Sequence, residues 1–415
     1  MKILIVTPFY KPDLGPSAPL FHLLSRGLVE QGHEVTVIAA VPHYPNGFVD
    51  EPYRKGFIQR SVEDDVNVIR IRVPSVDRSR LLMRALQFTT YQVGASVASL
   101  GVNCDIALVT NPALETWLPF VVNVILRNKP AIFSVHDLYP HVGVSLGIFH
   151  HKFVIDTVAW LEKFCLRHSK VVRILTESFR PGMWELGVPD DKIVLLYDWV
   201  DTDLIQPLSR RNGFAREHGL EDKFVVMYAG NIGLSQGLEN LLGAAQKLSD
   251  HEDIHFALVG EGAAKANLMK EVEEKGLKNV TFIPFQPRER LPEVLSTANL
   301  SMVMLRCGVG VTALPSKTYS ILASGRPMLA SVDRDCETAD LVIQSGAGVC
   351  VEPEDVDAIV EKILYLKDNP ELCRQMGENG RIWAEKNHSP KSAARDIEIF
   401  SGMALAKRVS SSVEG

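Results

Sequence analysis

Three observations predict a fold of two Rossmann-like, doubly wound α/β domains facing one another across a cleft. Short apolar runs alternate with amphipathic helical patterns, and a polar stretch interrupts that alternation once. The length, 415 residues, also exceeds the roughly 250–300 that a single core carries.

The first half begins with the run 3–6, a loop, and a helical pattern over 20–31 that Gly32 closes in the place of a C-cap glycine. Further strands are predicted at 34–40, 68–73, 106–110, 131–135, 171–175 and 193–196. Continuous Val/Ile/Leu runs separated by helices indicate a parallel sheet covered on both faces. The segment 206–222, with Pro207, Arg210, Arg211, Asn212 and Gly213, breaks the pattern and is predicted to link the domains. Alternation resumes with runs at 224–228, 256–259, 280–283, 301–305, 328–330 and 348–351 and helices over 238–248 and 263–275. The expected division is a first domain at 1–205, the linker, a second domain at 223–388, and a terminal helix within 389–415 that packs back on the first. Sheets of this kind bind ligands beyond the carboxyl ends of their strands, so a pair of them is expected to share a cleft.

Composition narrows the function classes. The chain is 46% hydrophobic and 23% charged, which suits a packed core and not a disordered chain. A net charge of −6 and a pI near 6.1 argue against nucleic acid as a partner. Six cysteines (Cys104, Cys165, Cys307, Cys336, Cys350 and Cys373) show no metal-ligand spacing and read as small buried hydrophobes in a reduced compartment. The opening apolar run stops at Thr7-Pro8, too short for a signal peptide, and no run has the roughly 18 apolar residues of a membrane span. A cytoplasmic, non-spanning protein is expected.

Several motifs fall at strand ends. Gly15-Pro16-Ser17-Ala18 lies between the first strand and first helix, where exposed amides suit a phosphate or sugar hydroxyl; a plain surface loop is the alternative. His136-Asp137 follows the run 131–135 directly, so the imidazole can bond a sugar hydroxyl or share a proton, or serve the structure alone. Tyr228-Ala229-Gly230-Asn231-Ile232-Gly233 and Ser235-Gln236-Gly237 form a strand–glycine–helix turn that admits an anion or simply punctuates the chain. Gly260-Glu261-Gly262 lacks the third glycine of a dinucleotide fingerprint. In 314–327, Pro315 and Ser316 mark a helix start and Gly325 and Pro327 its stop. Lys317 then occupies the first turn, where a cation opposes the helix dipole by roughly 0.3–1 kcal/mol. An anionic ligand would reverse that sign; a lysine turned to solvent is the alternative. Upstream, 307–311 reads as a mobile rim. The triplets Asp201-Thr202-Asp203 and Asp333-Arg334-Asp335 have no carboxylate cluster beside them, so no metal is expected. Arg70 and Arg72, followed by Arg78, Arg80 and Arg84 around Leu81, Leu82, Met83, Leu86 and Phe88, suit either a helix on an anionic membrane surface or a solvated helix.

In this order the motifs resemble the retaining glycosyltransferases of the GT-B fold, family 4 type. The resemblance rests on Gly15, Gly32-His33-Glu34-Val35-Thr36-Val37, His136-Asp137, Asp198-Trp199-Val200-Asp201, 228–237, Val259-Gly260-Glu261-Gly262 and 315–327, and covers nearly the whole chain. Within the family, the chain is similar to the group that makes bacterial surface polysaccharides, including fucosamine-transferring members. The resemblance implies that His136 lies beside the reacting sugar, Asp137 on the acceptor side, and Gly15 against the diphosphate or sugar. It implies that Lys317 neutralises the departing diphosphate and that Glu261 and Phe285 lie near the base and ribose. Asn231, Gly233, Gln236, Ser316, Thr318 and Ser320 would complete the donor site. Three departures matter: Asn231 and Gln236 stand where the family usually has Arg and Lys, Ser320 stands for its ribose-holding glutamate, and Thr312 for an upstream carboxylate.

The expected function is therefore transfer from a nucleotide sugar, a UDP-sugar foremost, to a saccharide or lipid-linked saccharide in surface-polysaccharide synthesis. The donor is a substrate, and no cofactor or metal is required. The enzyme would work in the cytoplasm, with peripheral contact to an anionic membrane from the arginine-rich segment. The alternatives are a nucleotide-sugar epimerase on the same scaffold and a non-catalytic nucleotide-sugar-binding protein.

Overall fold

The computed structural model describes residues 1–15, 17–77, 81–145, 147, 149–310 and 314–413. The chain forms two compact units, 1–198 with 390–415 and 199–389. In the first unit, β1 (Lys2–Val6), β2 (Glu34–Ala40), β3 (Ile58–Glu63), β4 (Val66–Ile71), β5 (Ile106–Thr110), β6 (Ala131–Val135), β7 (Val171–Ile174) and β8 (Ile193–Leu195) build one sheet. Its order is β3-β4-β2-β1-β5-β6-β7-β8. Every neighbouring pair is parallel except β3 and β4. The apolar runs do not announce β3, because an edge strand carrying Gln59, Arg60 and Ser61 hides no residue completely. The central strands carry fully buried Leu4, Val6, Val109 and Phe133, as continuous apolar runs require.

Helix Ala18–Glu30 covers this sheet, and helix Pro390–Val413 packs against it. At Gly27 a Cβ would come within 2.8 Å of Pro390 O, and Gln31 Nε2 donates to Lys391 O at 3.0 Å.

The second unit has six parallel strands, β9 (Phe224–Ala229), β10 (Ile254–Val259), β11 (Val280–Ile283), β12 (Leu300–Met304), β13 (Met328–Ser331) and β14 (Gly348–Val351). Their order is β11-β10-β9-β12-β13-β14. Chain direction across the sheet reverses between β9 and β12, and ligands bind at such a switch point.

Three sequence readings change here. The polar segment 206–222 is not a bare connector: Gly213–Glu217 is helical, capped by Asn212 Oδ1, which accepts the Ala215 N–H at 3.0 Å. It buries Phe214 and Ala215 beside Val225 and Met227, so two apolar side chains anchor an otherwise polar surface turn. Arg70 does not flank a membrane-facing helix. It is buried in β4, ion-paired with Glu63 of β3, and donates to Lys11 O at 2.6 Å. Cysteine burial is also not uniform, since Cys307 is exposed in the loop after β12.

Among the described residues, no helix is long and apolar enough to cross a membrane.

Candidate active site

The loops after β9 and β12 flank the switch point of the second unit, and most of its predicted residues gather there. Gly230 N–H donates to Val259 O at 2.9 Å and Ile232 N–H to Glu261 O at 2.8 Å, so the loops after β9 and β10 lie backbone against backbone. Gly260 has φ +147°, and a Cβ on it would lie 1.9 Å from Gly230 O. Glycine is required for that approach, which gives the Gly260-Glu261-Gly262 pattern its own reason apart from any dinucleotide fingerprint. Asn231 and Gln236 fold over Gly233: a Cβ there would meet Gln236 Oε1 at 2.6 Å and Asn231 Nδ2 at 2.8 Å.

Lys317 opens helix Lys317–Ser324, which ends at Gly325 in the left-handed region (φ +66°). Its side chain does not reach into solvent. Nζ is buried without a hydrogen-bond partner, 3.6 Å from the centre of the Tyr228 ring, and a Cβ on Gly230 would lie 3.2 Å from it. Desolvation lowers the Lys317 pKa from 10.5 to about 7. Tyr228 is held by its hydroxyl, which donates to Asn231 O at 2.7 Å, and burial pushes its own pKa up. Thr318 Oγ1 and Gln236 Oε1 are likewise buried without partners. A desolvated ammonium at a helix start, resting only on a π face, is short of an anion.

The remaining predicted donor residues are more open. Ser316 is exposed and makes no side-chain cap, Ser320 is half-buried, Asn231 is exposed, and Phe285 after β11 is 73% exposed. Glu261 is exposed and pairs with Lys265 at 2.7 Å. Thr312 lies outside the described residues, as does Pro16 of the first loop.

The start of helix Glu239–Lys247 is not open to an anion as the turn suggested. Glu239 occupies its first turn and is ion-paired with Arg306. Arg306 Nε also donates to Leu234 O at 2.7 Å, so this arginine after β12 fixes the turn where the family pattern places basic residues. Nor is the rim after β12 loose as far as Gly310. Asp333 accepts the Gly308 N–H at 3.0 Å and the Gly310 N–H at 3.2 Å, which is the use of the second acidic triplet. Asp201 of the first triplet accepts the Leu204 N–H at 2.9 Å and pairs with Arg288 at 3.0 Å. Among the described residues, no group of three or more His, Cys, Asp or Glu side chains is arranged to hold a metal.

In the first unit, a second cluster sits at the carboxyl edge of the sheet. His136 follows β6; its N–H donates to Asn111 Oδ1 at 2.7 Å, and Asn111 Nδ2 donates to Asp137 O at 2.6 Å. Its Nε2 lies 3.1 Å from Ser134 Oγ, and the Phe21 ring meets it edge-on at 5.5 Å. Desolvation, reinforced by the Arg173 guanidinium, lowers its pKa to about 4, so the imidazole is neutral at pH 7. Asp137 is shifted upward by desolvation and by Asp198. Arg173 is buried in β7, donates to Leu196 O at 2.8 Å, and pairs with Asp198 at 2.7 Å.

Gly15 is held by Asp13, whose Oδ1 accepts its N–H at 2.7 Å, and a Cβ on Gly15 would collide with the Phe9 ring at 2.5 Å. The other Asp13 oxygen accepts the His43 N–H at 2.8 Å, and the Asp13 side chain is fully buried. Sequence reading missed Asp13, Asn111, Arg173 and Arg306. Only Arg173 left a signal, an arginine inside the buried run Val171-Val172-Arg173-Ile174.

Comparison with known proteins bears on the family and the fold. The profile of the Glycosyl transferase 4-like domain matches residues 17–199, and that of Glycosyl transferases group 1 matches residues 211–383. The chain is 28% identical over 391 residues to WcaI of Escherichia coli, named as a glycosyl transferase of colanic acid biosynthesis; the match covers 91% of this chain and 96% of that one. It is also 28% identical over 319 residues to the alpha-D-kanosaminyltransferase of Streptomyces kanamyceticus, covering 74% of this chain and 76% of the relative. Among solved structures, the sucrose-phosphate synthase of Thermosynechococcus elongatus matches with a TM-score of 0.68 at 17% identity, over 98% of this chain and 100% of that one. HepE of Anabaena, in complex with UDP and glucose, matches with a TM-score of 0.65 at 14% identity, over 96% and 98%. At such identities, the structural likeness bears on the fold alone.

Proposed function

Because the chain belongs to the GT-B glycosyltransferases, a 4-like domain followed by a group 1 domain, we propose a retaining transfer from a nucleoside-diphosphate sugar. A UDP-sugar is the favoured donor, and the acceptor is a saccharide or lipid-linked saccharide of a cell-surface polysaccharide. The observation that carries this reading is the Lys317 ammonium, buried without a hydrogen-bond partner beside Gly230 and over Tyr228. Breaking the anomeric C–O bond leaves the electron pair on the diphosphate. The acceptor oxygen bonds the anomeric carbon from the same face, and its proton ends on the released diphosphate. Lys317 and the amides at its helix start meet negative charge as it develops, in a desolvated place where such contacts count most. His136, neutral at pH 7, offers the sugar a hydrogen bond and not a proton. The reaction needs no divalent cation in this reading, since Asp201 and Asp333 are engaged by Arg288 and by backbone amides. The colanic acid biosynthesis named for WcaI supports the choice of product.

Melting-temperature screens with UDP-, GDP- and TDP-sugars identify the donor, because a ligand raises stability according to its affinity. Lys317→Ala is expected to cut turnover about a hundredfold, the usual loss for one preorganised charge-stabilising group. Activity should survive EDTA, and NMR of the product should show the donor's anomeric configuration. Unchanged turnover in Lys317→Ala, or an inverted product, overturns the proposal.

A further inference from the structure

At the carboxyl side of the first unit's sheet lies a cavity of about 420 Å³ that none of the candidate active-site residues lines. Arg54, Arg72, Ser75 and Thr90 supply its polar wall, and Val49 and Phe57 part of its apolar wall. Its place in the fold is the sheet's outer edge: Arg72 leaves β4 at its carboxyl end, and Phe57 enters β3 where Ile58 pairs with Ile71.

The cavity is held in shape by its own framework. Gln87, buried in helix Leu81–Leu100, donates to Gly47 O at 2.9 Å and Pro74 O at 2.7 Å. Val49 N–H donates to Ser75 Oγ at 3.1 Å. Arg54 uses Nε on Val49 O at 2.8 Å and Arg72 uses Nη1 on Arg54 O at 2.7 Å, so backbone contacts fix both side chains. No carboxylate lines the cavity, and among the described residues neither arginine has an ion-pair partner.

Thr90 also belongs to a stripe. Leu82, Leu86, Val93, Val97 and Leu100 follow one another, through Thr90, at steps of three and four along one face of the helix. These five apolar side chains are each 45% to 80% exposed. Two guanidiniums suit a phosphate, for which arginine forks are shaped, and an exposed apolar stripe beside them suits a hydrocarbon chain.

We propose that this cavity holds the phosphate or diphosphate of a lipid-linked acceptor, with its apolar chain laid along the Leu82–Leu100 stripe. The inference rests on the transferase reading and names the acceptor's chemistry within it.

The test is calorimetric titration of the full-length protein with dodecyl phosphate below its micellar concentration. Inorganic phosphate, dodecanol and phosphatidylglycerol vesicles serve as comparisons. Dodecyl phosphate should bind at one site, with inorganic phosphate at least about tenfold weaker for want of the chain. Arg54→Ala and Arg72→Ala should each weaken dodecyl phosphate about tenfold, as loss of a charge-assisted contact does. The Arg54→Lys, Arg72→Lys pair should keep most of the affinity, which separates lost charge from lost folding. Leu86→Ser with Val93→Ser should weaken dodecyl phosphate and leave inorganic phosphate unchanged. Equal binding by wild type and the alanine pair overturns the proposal, and so does binding seen with phosphatidylglycerol vesicles only. Failure here with nucleotide-sugar binding intact removes the acceptor site and leaves the transferase. Absence of nucleotide-sugar binding with dodecyl phosphate bound removes the transferase, and with it the acceptor role, and leaves only a lipid-phosphate site.

Discussion

Raising the pH from 7 to 9 should loosen a bound nucleoside diphosphate, and the size of the effect follows from Lys317. With its pKa near 7, about half of the free protein carries the ammonium at pH 7 and about 1% at pH 9. If the diphosphate binds the charged form, binding at pH 9 must first place a proton on Nζ. Apparent affinity then falls by (1 + 100)/(1 + 1), about fiftyfold. Titration of UDP at pH 7, 8 and 9, repeated in buffers of different ionisation heat, reads both quantities. Proton uptake should rise from about one half per nucleotide at pH 7 to nearly one at pH 9. Lys317→Met fills the same space without titrating, so its affinity should be weak and flat over that range. The same depression acts on folding. Between about 7 and 10.5 the unfolded chain binds a proton that the folded chain has lost, so stability should rise with pH across that window until a bound diphosphate removes the gradient. Wild-type affinity that stays level from pH 7 to 9, or a slope that survives in Lys317→Met, refutes the placement of the ammonium.

Other expectations follow from single contacts. Gly260→Ala forces a Cβ toward Gly230 O; a cost of about 2 kcal/mol should lower the melting temperature by roughly 4–8 °C in calorimetry, and an unchanged value would separate the two loops. Below pH 6.5 the unfolded chain protonates His136, which the folded chain resists until about 4, so stability falls through that window by up to roughly 3 kcal/mol. His136→Asn should lose that share of the slope in urea unfolding at pH 6.5 and 4.5, and a wild-type slope would contradict it. Glu162, buried and accepting the Ala113 N–H at 2.6 Å, has its pKa raised by desolvation from 4.5 to about 8. Its contribution is complete below 4.5 and lost as pH rises to 8. Glu162→Gln keeps an acceptor oxygen, so it should match wild type at pH 4.5 and need more urea at pH 8; equal midpoints at both values would refute the shift.

The sheet strands were largely legible because a strand covered on both faces must be apolar throughout, as Ile3–Val6 and Phe256–Val259 are. β3 escaped because an edge strand is under no such demand. The helix after Pro315-Ser316 was readable from its punctuation, and Lys317 from its place in the first turn. What that pattern lacks is direction: nothing in it tells whether Nζ reaches outward or folds back over Tyr228, since the ring comes from a strand 89 residues earlier. Asp13 and Asn111 were invisible for the same reason. Polar residues in a loop are ordinary, and their work, holding the backbone of Gly15, His43 and His136, is set by contacts far apart in sequence. Glu162 was masked by its helix, where one buried carboxyl every few turns looks like the charged face it is not.

Asp13 has a consequence for anyone remodelling this enzyme. One enclosed carboxylate receives amides from the loop after β1 and from the loop after β2, so these loops form a single mechanical piece. A chimaera that imports only one of them from a relative would strand a charge indoors. Both must be exchanged together, or Asp13 replaced with them.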